Sequence, residues 1–299
     1  MTKTDKKFKI VDILYIVMMV LPFLAGIVLQ VLTKPQVEGI TLTGARIFFT
    51  IPMPLQDWPI TEAQINSWLV VITLFFFCKY MTHGIDEHIK LKRQHLAELM
   101  VEKVDGLVLE NMGEYFKGYA PFIIAILALS ALSSLMSLLG LFPPTSDLNV
   151  VGGWALLVFI LITYYKMKCG PLFYLKGFTE PIPLLAPINF ISEFATPVSM
   201  SFRHYGNILS GTVISVLIAA GLSGLSAMVF KFLPGFLANI PWLQIGIPAV
   251  LSVYFDVFSG CLQAFIFAML TMLNVSGGFA IDEYEKRKLK KLNKQLANK

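Results

Sequence analysis

Two apolar stretches, about 184–222 and 236–277, dominate the second half of the chain. Each is roughly twice the ~20 residues that a helix needs to cross the hydrocarbon layer. At ~1.5 Å per residue, some 40 helical residues extend about 60 Å. Both segments must therefore tilt strongly, kink or run beyond the bilayer. Pro197 and Pro248 are the expected kink points. Shorter apolar runs at about 13–32, 66–82, 119–141 and 152–165 bring the expected spans to six. Of the 299 residues, 56% are hydrophobic and 14% charged, against roughly 25% charged in soluble domains. The expected fold class is thus an all-α integral membrane protein. An outer-membrane barrel is excluded, because its alternating strands give no long continuous apolar runs.

Charge placement orients this bundle. Basic clusters lie at 3–9, 90–93, 166–168 and 286–294. Six spans put all four on one side, so both termini are expected in the cytoplasm. The net charge of +5 reflects these flanks and predicts no nucleic-acid partner. The opening "MTKTDKKFKIVD" resembles a signal peptide, but the following run is too long and no small-x-small cleavage site closes it. Residues 34–63, with "ITLTGARIFF", read as an ordered external loop. In the polar stretch 83–117, Ile89, Leu96, Met100, Val104, Leu107 and Val108 recur at helical spacing. They predict an amphipathic helix on the cytoplasmic membrane surface. His83, His88 and His95 sit there among lysines and acids, on a solvated face rather than a metal site. Cys78, Cys169 and Cys261 form no CxxC pair and read as small buried hydrophobes.

Polar residues inside the apolar stretches carry the chemistry. On a helical wheel with Arg203 at zero, Asn207 and Asn189 fall at about 40°, Thr196 at about 20°, Ser210 and Ser192 at about −20°, and Ser199 at about −40°. Lipid does not tolerate such a stripe, so it faces a partner helix or water. Glu193 lies on its edge, ~15 Å along the axis from Arg203 and too far for a direct ion pair. In the last span Asp256 and Gln263 are seven residues apart and share one face, with Ser252 and Ser259 near them. Gly206, Gly211 and Gly260 are expected to let helices approach closely. One reading makes Arg203 and Asp256 a buried structural ion pair, although charge-poor cores usually do better without one. The other makes the stripe an ion pathway containing a fixed cation. That cation repels passing cations and lowers the pKa of a nearby mobile carboxylate by ~1–3 units. There is no Walker A sequence, HExxH or Ser/His/Asp grouping in the apolar segments, so no nucleotide, metal or cofactor is expected. A secondary ion-coupled transporter is the alternative class, but no internal repeat or interrupted helix marks a substrate site. A structural scaffold would leave the polar stripes unexplained.

At this point the residues resemble a known family. "PVSMSFRHYGNILSGTVI", residues 197–214, resembles the "PxSLxxRLFGNxxAG" signature of subunit a of F-type ATP synthases, and "CLQAFIFAMLT" resembles its closing "LQAFIFxxLT" motif. The likeness runs from about residue 66 to the end, taking in "PTSDLN" and "YYKMK". It implies two parts: residues 1–65, an additional span and external loop, and 66–299, the subunit a membrane domain. It also implies that Arg203 is the essential cation facing the carboxylates of the c-subunit ring. Asn207, Gln263 and Asp256 then belong to the half-channel on the non-cytoplasmic side. Glu193 is the candidate for the cytoplasmic half-channel, with Thr212, Ser210 and Ser199 as polar neighbours. The implied partners are the c-ring, the b-subunit peripheral stalk and the other synthase subunits, in a bacterial plasma membrane. Three departures stand out: His204-Tyr205 replaces the family's Leu-Phe, Thr196 replaces its basic residue before Pro197, and Thr212 stands where some members carry Glu or His. His204 and Tyr205 point away from Arg203 and are expected to pack rather than to carry ions.

Overall fold

The computed structural model describes residues 3–33, 44–54, 56–85, 92–180, 182–231, 242–244 and 246–297. Residues 34–43 of the expected external loop, His88, Ile89, part of the basic cluster 90–93 and the start of the expected span 236–277 lie outside the described residues. Among the described residues six helical stretches are long and apolar enough to cross a membrane: Lys9–Thr33, Glu62–Thr82, Glu114–Leu139, Leu148–Cys169, Pro183–Val229 and Ile247–Gly277. Large apolar side chains on their outer faces, such as Leu156, Ile160, Leu217 and Val250, are exposed on the isolated chain. That is the surface an integral membrane protein presents to lipid.

Helix α1 (Lys3–Thr33) lies along α2 (Glu62–Thr82). Gly26 makes this possible: a Cβ there would meet Leu69 Cδ1 at 2.9 Å. The Thr73 hydroxyl donates to the Met19 carbonyl at 3.3 Å, and the Gln30 amide to the Gly140 carbonyl at 2.5 Å. At the other end Asp12 pairs with Arg93 at 2.8 Å and His83 at 2.9 Å. His83 is therefore tied down by Asp12 and Tyr15 instead of lying on a solvated face. Between α1 and α2 the expected loop contains a hairpin, β1 (Ile47–Ile51) antiparallel to β2 (Trp58–Thr61). Arg46 anchors it, donating to the Thr33 carbonyl at 3.0 Å and pairing with the buried Glu62 at 3.5 Å.

The polar segment forms α3 (Lys92–Met112). Its second half packs on the core through Val104, Leu107, Val108 and Met112, whereas Leu96 and Met100 remain exposed. A 3₁₀ turn (Glu114–Tyr119) leads into α4 (Ala120–Leu135). Asp147 caps α5 (Leu148–Cys169) by accepting from the Asn149 N–H at 2.9 Å, so α5 starts before the apolar run does. A short helix α6 (Pro171–Thr179), not anticipated above, precedes α7 (Ala186–Val229). The 44 residues of α7 continue without a break across Pro197, giving a helix about 66 Å long.

The last long segment differs from expectation. Gly246 (φ +91) precedes α8 (Ile247–Ser252), which opens the long helical stretch described for this segment. Pro248 occupies the first turn, where no N–H is needed, so it starts the helix instead of kinking it. The irregularity comes later, as a π-helical turn at Val253–Ser259 ahead of α9 (Gly260–Gly277). Because each π turn holds one more residue than an α turn, the seven-residue spacing of Asp256 and Gln263 does not keep them on one face. Beyond Gly278 the tail forms α10 (Ile281–Ala297).

The main core joins α3, α4, α5, α7 and α9 through Val108, Ile123, Val158, Met200, Phe267 and Met272. Cys169 is buried in it, while Cys78 and Cys261 face outward and correct the reading of all three as buried. Of the three glycines expected at helix contacts, Gly211 lies against Phe255 (3.1 Å from a built Cβ) and Gly260 against Ser134 (2.9 Å), but Gly206 has nothing within 4 Å. Gly260→Ala is therefore expected to destabilise the detergent-solubilised protein by about 1–3 kcal/mol through overpacking. Gly206→Ala should leave thermal unfolding unchanged or slightly raised, because it adds helix propensity without a clash.

Candidate functional site

Helix α7 carries the predicted stripe, and its neighbours divide the stripe into three environments. In the middle, Ser199, Arg203 and Ser210 are exposed. Arg203 makes no hydrogen bond or ion pair among the described residues. Val198, Phe202 and Leu209 of the same helix are also exposed, on a face about 100–140° round from Arg203. The Arg203–Asp256 ion pair is not formed: the half-buried Asp256 accepts from the Ser252 hydroxyl at 2.5 Å instead. The Ser210 hydroxyl donates back to the Asn207 carbonyl, and that of Thr212 to the Ile208 carbonyl, each at 3.0 Å. Such back-bonding satisfies a hydroxyl where no other partner is offered.

One turn beyond Arg203, α7 meets the π turn. The Asn207 amide donates to Ser259 Oγ at 2.8 Å, and the Ser259 hydroxyl returns a bond to Asn207 Oδ1 at 3.0 Å. The Gly211–Phe255 contact lies one turn further along α7. The two helices the sequence singles out are thus joined beside the arginine. Gln263 is buried in α9. π turns recur at functional sites, and this one sets the positions of Asp256 and Ser259.

At the other end of the stripe, Asn189, Ser192, Glu193 and Thr196 line a cavity of about 460 Å³, closed by Lys166 of α5 and Tyr174 of α6. A second cavity of about 210 Å³ adjoins it and shares Lys166, Glu193 and Thr196. Lys166 Nζ lies 2.6 Å from Glu193 Oε2, with only 10% of the glutamate side chain exposed. Burial, then the charge and hydrogen bond of Glu193, raise the Tyr174 phenol above its ordinary value. The Asn189 amide donates to the Phe178 carbonyl at 2.8 Å, which secures α6 as the cavity wall. Lys166 and Tyr174 are site residues that sequence reasoning missed. Lys166 is 27 positions from its partner, and in sequence it is indistinguishable from an ordinary basic flank.

His204 points the opposite way. It is fully buried, edge-on to Trp154 and Phe267 at ring-centroid distances of 6.2 and 5.7 Å. Its Nε2 lies 3.3 Å from the Ser130 hydroxyl of α4. Ser134, one turn along α4, lies 3.4 Å from Thr145 Oγ1. His204 thus belongs to a buried polar seam between α4, α5, α7 and the 144–146 turn.

A sequence model of the family described as "ATP synthase A chain" matches residues 64–276, well over half of the chain. The chain is 28% identical over 284 residues to the protein of Propionigenium modestum named ATP synthase subunit a, sodium ion specific, covering 84% of this chain and 89% of that one. It is 31% identical over 220 residues to ATP synthase subunit a of Desulforamulus reducens, covering 72% and 78%. With the subunit a of Moorella thermoacetica it shares 29% over 220 residues, covering 73% and 90%. A match of this extent over the same helices that carry the arginine, the asparagine bridge and the glutamate cavity makes this chain a member of the ATP synthase A chain family.

Proposed function

We propose that the chain is the stator subunit that couples H⁺ or Na⁺ flow to rotation of a c-subunit ring, with ATP chemistry left to other subunits. One observation carries this reading: Arg203 is exposed on a membrane-spanning helix and has no protein partner among the described residues. An unpaired guanidinium facing hydrocarbon is costly, and it stays charged at any working pH. A carboxylate on a moving neighbouring chain supplies the counter-charge that the described residues of this one lack.

In this reading an ion arrives along the non-cytoplasmic half-channel past Asp256, Asn207 and Gln263 and neutralises a ring carboxylate. The neutral carboxylate can then enter lipid. On the far side of the rotation it releases its ion towards the cavity around Glu193. Arg203 stands between the two routes. It repels a cation that tries to cross directly and attracts the carboxylate once it is ionised, so flux requires rotation. The Asn207–Ser259 bridge supports the reading by fixing the turn beside Arg203 on the Asp256 helix. The Glu193–Lys166 pair gives the second route a carboxylate whose charge is already balanced. Exposed Ser199, Ser210 and Thr212 extend the polar face on either side. Residues 66–299 form the stator domain proper and 1–65 an added span with its external hairpin. The b-subunit stalk is the further partner, the bacterial plasma membrane the setting, and both termini are cytoplasmic.

Arg203→Ala is expected to lower ATP-driven pumping in reconstituted vesicles by tenfold or more, since it removes about 1–3 pKa units of support for the ionised carboxylate. Retention of normal coupled pumping would sink the rotary reading. A pH-sensitive dye and radioactive sodium, read in parallel, identify the ion. Lys166→Met should lower stability by about 2 kcal/mol, less than the ~3–5 of a fully buried pair, because 28% of the Lys166 side chain is exposed. Lys166→Met combined with Glu193→Gln should recover most of that loss in thermal unfolding, and equal losses in the two variants would contradict the pairing.

A further inference from the structure

Helix α10 lies beyond residues 64–276 that match the family, and its chemistry is not accounted for by ion transport. Its position is set by two contacts. The Arg287 guanidinium rests on Gly170, the residue that ends α5, where a built Cβ would meet Nη1 at 2.6 Å. The Tyr284 ring packs on Tyr115 and Phe279 at 5.7 and 5.3 Å. Lys168 Nζ sits 5.4 Å from the Tyr284 ring and 5.5 Å from that of Tyr115. These anchors belong to the ends of spanning helices and form a tyrosine- and lysine-rich belt of the kind found where hydrocarbon meets water. Helix α10 therefore starts at the bilayer boundary.

Its faces are distributed accordingly. With Leu289 at zero on the wheel, Leu296 falls at about −20° and Ile281 at about −80°, while the acids Asp282 and Glu285 fall at about 20° and −40°, so the first turns of this face are mixed and it is apolar only from Leu289 onward. Lys288 lies at about −100° on one flank, and Lys286 and Lys290 at about 60° and 100° on the other, where Lys286 pairs with Glu283 at 2.9 Å while remaining largely exposed. Tyr284 and Arg287, which touch the protein body, lie at about −140° and 160°, on the opposite side. The apolar stripe thus points away from its own chain, and Ile281, Leu289 and Leu296 are all exposed. A groove of about 410 Å³ runs between this stripe and the body, lined by Tyr115, Ile281, Tyr284, Glu285, Lys288 and Leu289. The three acids of α10 all fall within its first five residues and its six basic residues all follow.

We propose that α10 is an interfacial anchor that binds anionic phospholipid, with its flanking lysines on the headgroup phosphates and the Ile281–Leu289–Leu296 stripe and adjoining groove against acyl chain. Charge complementarity selects this occupant. Lysines on both flanks of an outward apolar stripe, at the depth of a tyrosine belt, match a negatively charged leaflet. The inference stands independently of the rotary reading.

Hydrogen–deuterium exchange of the full chain, reconstituted in phosphatidylcholine with or without phosphatidylglycerol, tests it. Amides of 281–297 should exchange at least about fivefold more slowly in the anionic vesicles, the effect of one surface charge–lipid contact. Replacing Lys286, Lys288 and Lys290 with Glu should abolish the dependence on lipid composition, and replacing them with Arg should preserve it. The spanning helices in the same digest report whether each variant is folded. Equal exchange in both vesicles would overturn the proposal. So would protection that appears only when other synthase subunits are added, which would assign the face to a protein partner.

Discussion

A guanidinium on the outer surface of a spanning helix is the constraint on which the arrangement depends. Hydrocarbon offers Arg203 neither water nor counter-charge, and none of the described residues of the chain does either. The helix that carries it must then be held in a definite orientation, because rotation about its own axis would turn the arginine into a core that has no partner for it. The structure supplies that hold from the opposite side. Buried His204 is wedged against Trp154, Phe267 and Ser130, Met200 enters the main core, and Gly211 closes on Phe255. The polar residue next to the arginine thus acts as its positioning wedge, and apolar packing pays the desolvation cost of its imidazole.

The same helix joins two polar regions with different solutions to burial. Near the π turn the polar groups are neutral or lie outside the core, and they satisfy one another through the Asn207–Ser259 and Ser252–Asp256 bonds. Near α6 a full charge is buried, and a lysine from another span compensates it. Neutral hydrogen-bonded groups can be hydrated and released at little cost, whereas an ion pair resists separation. In the rotary reading, that difference makes the Asp256 region a permissive route and the Glu193 cavity a charge-balanced one.

Much of this was legible in the chain itself. Apolar run lengths located the six candidate spans found among the described residues, because backbone hydrogen bonding in lipid favours a helix for such runs. The 3.6-residue period brought the polar groups of α7 into one stripe, and the 44-residue helix keeps that phase across Pro197. Phasing failed where the helix type changed: the π turn at 253–259 shifts Gln263 relative to Asp256, and apolar pattern carries no signal for one extra residue in a turn. Residue type misleads at Gly206, which matches Gly211 and Gly260 in the sequence but whose built Cβ meets nothing within 4 Å among the described residues. The tail reads as a basic flank in sequence, since its charge outweighs the apolar residues that α10 brings to one side once it is helical.

The sequence by itself determined the membrane class, the number of spans and the single polar face of α7, because each follows from local run length and helical period. Only the tertiary structure decided which part of that face is open, which is bonded to the last span and which surrounds a cavity. Those outcomes depend on partners far apart in the chain, Lys166 with Glu193 and Ser259 with Asn207. No periodicity within a segment encodes the distance between two helices.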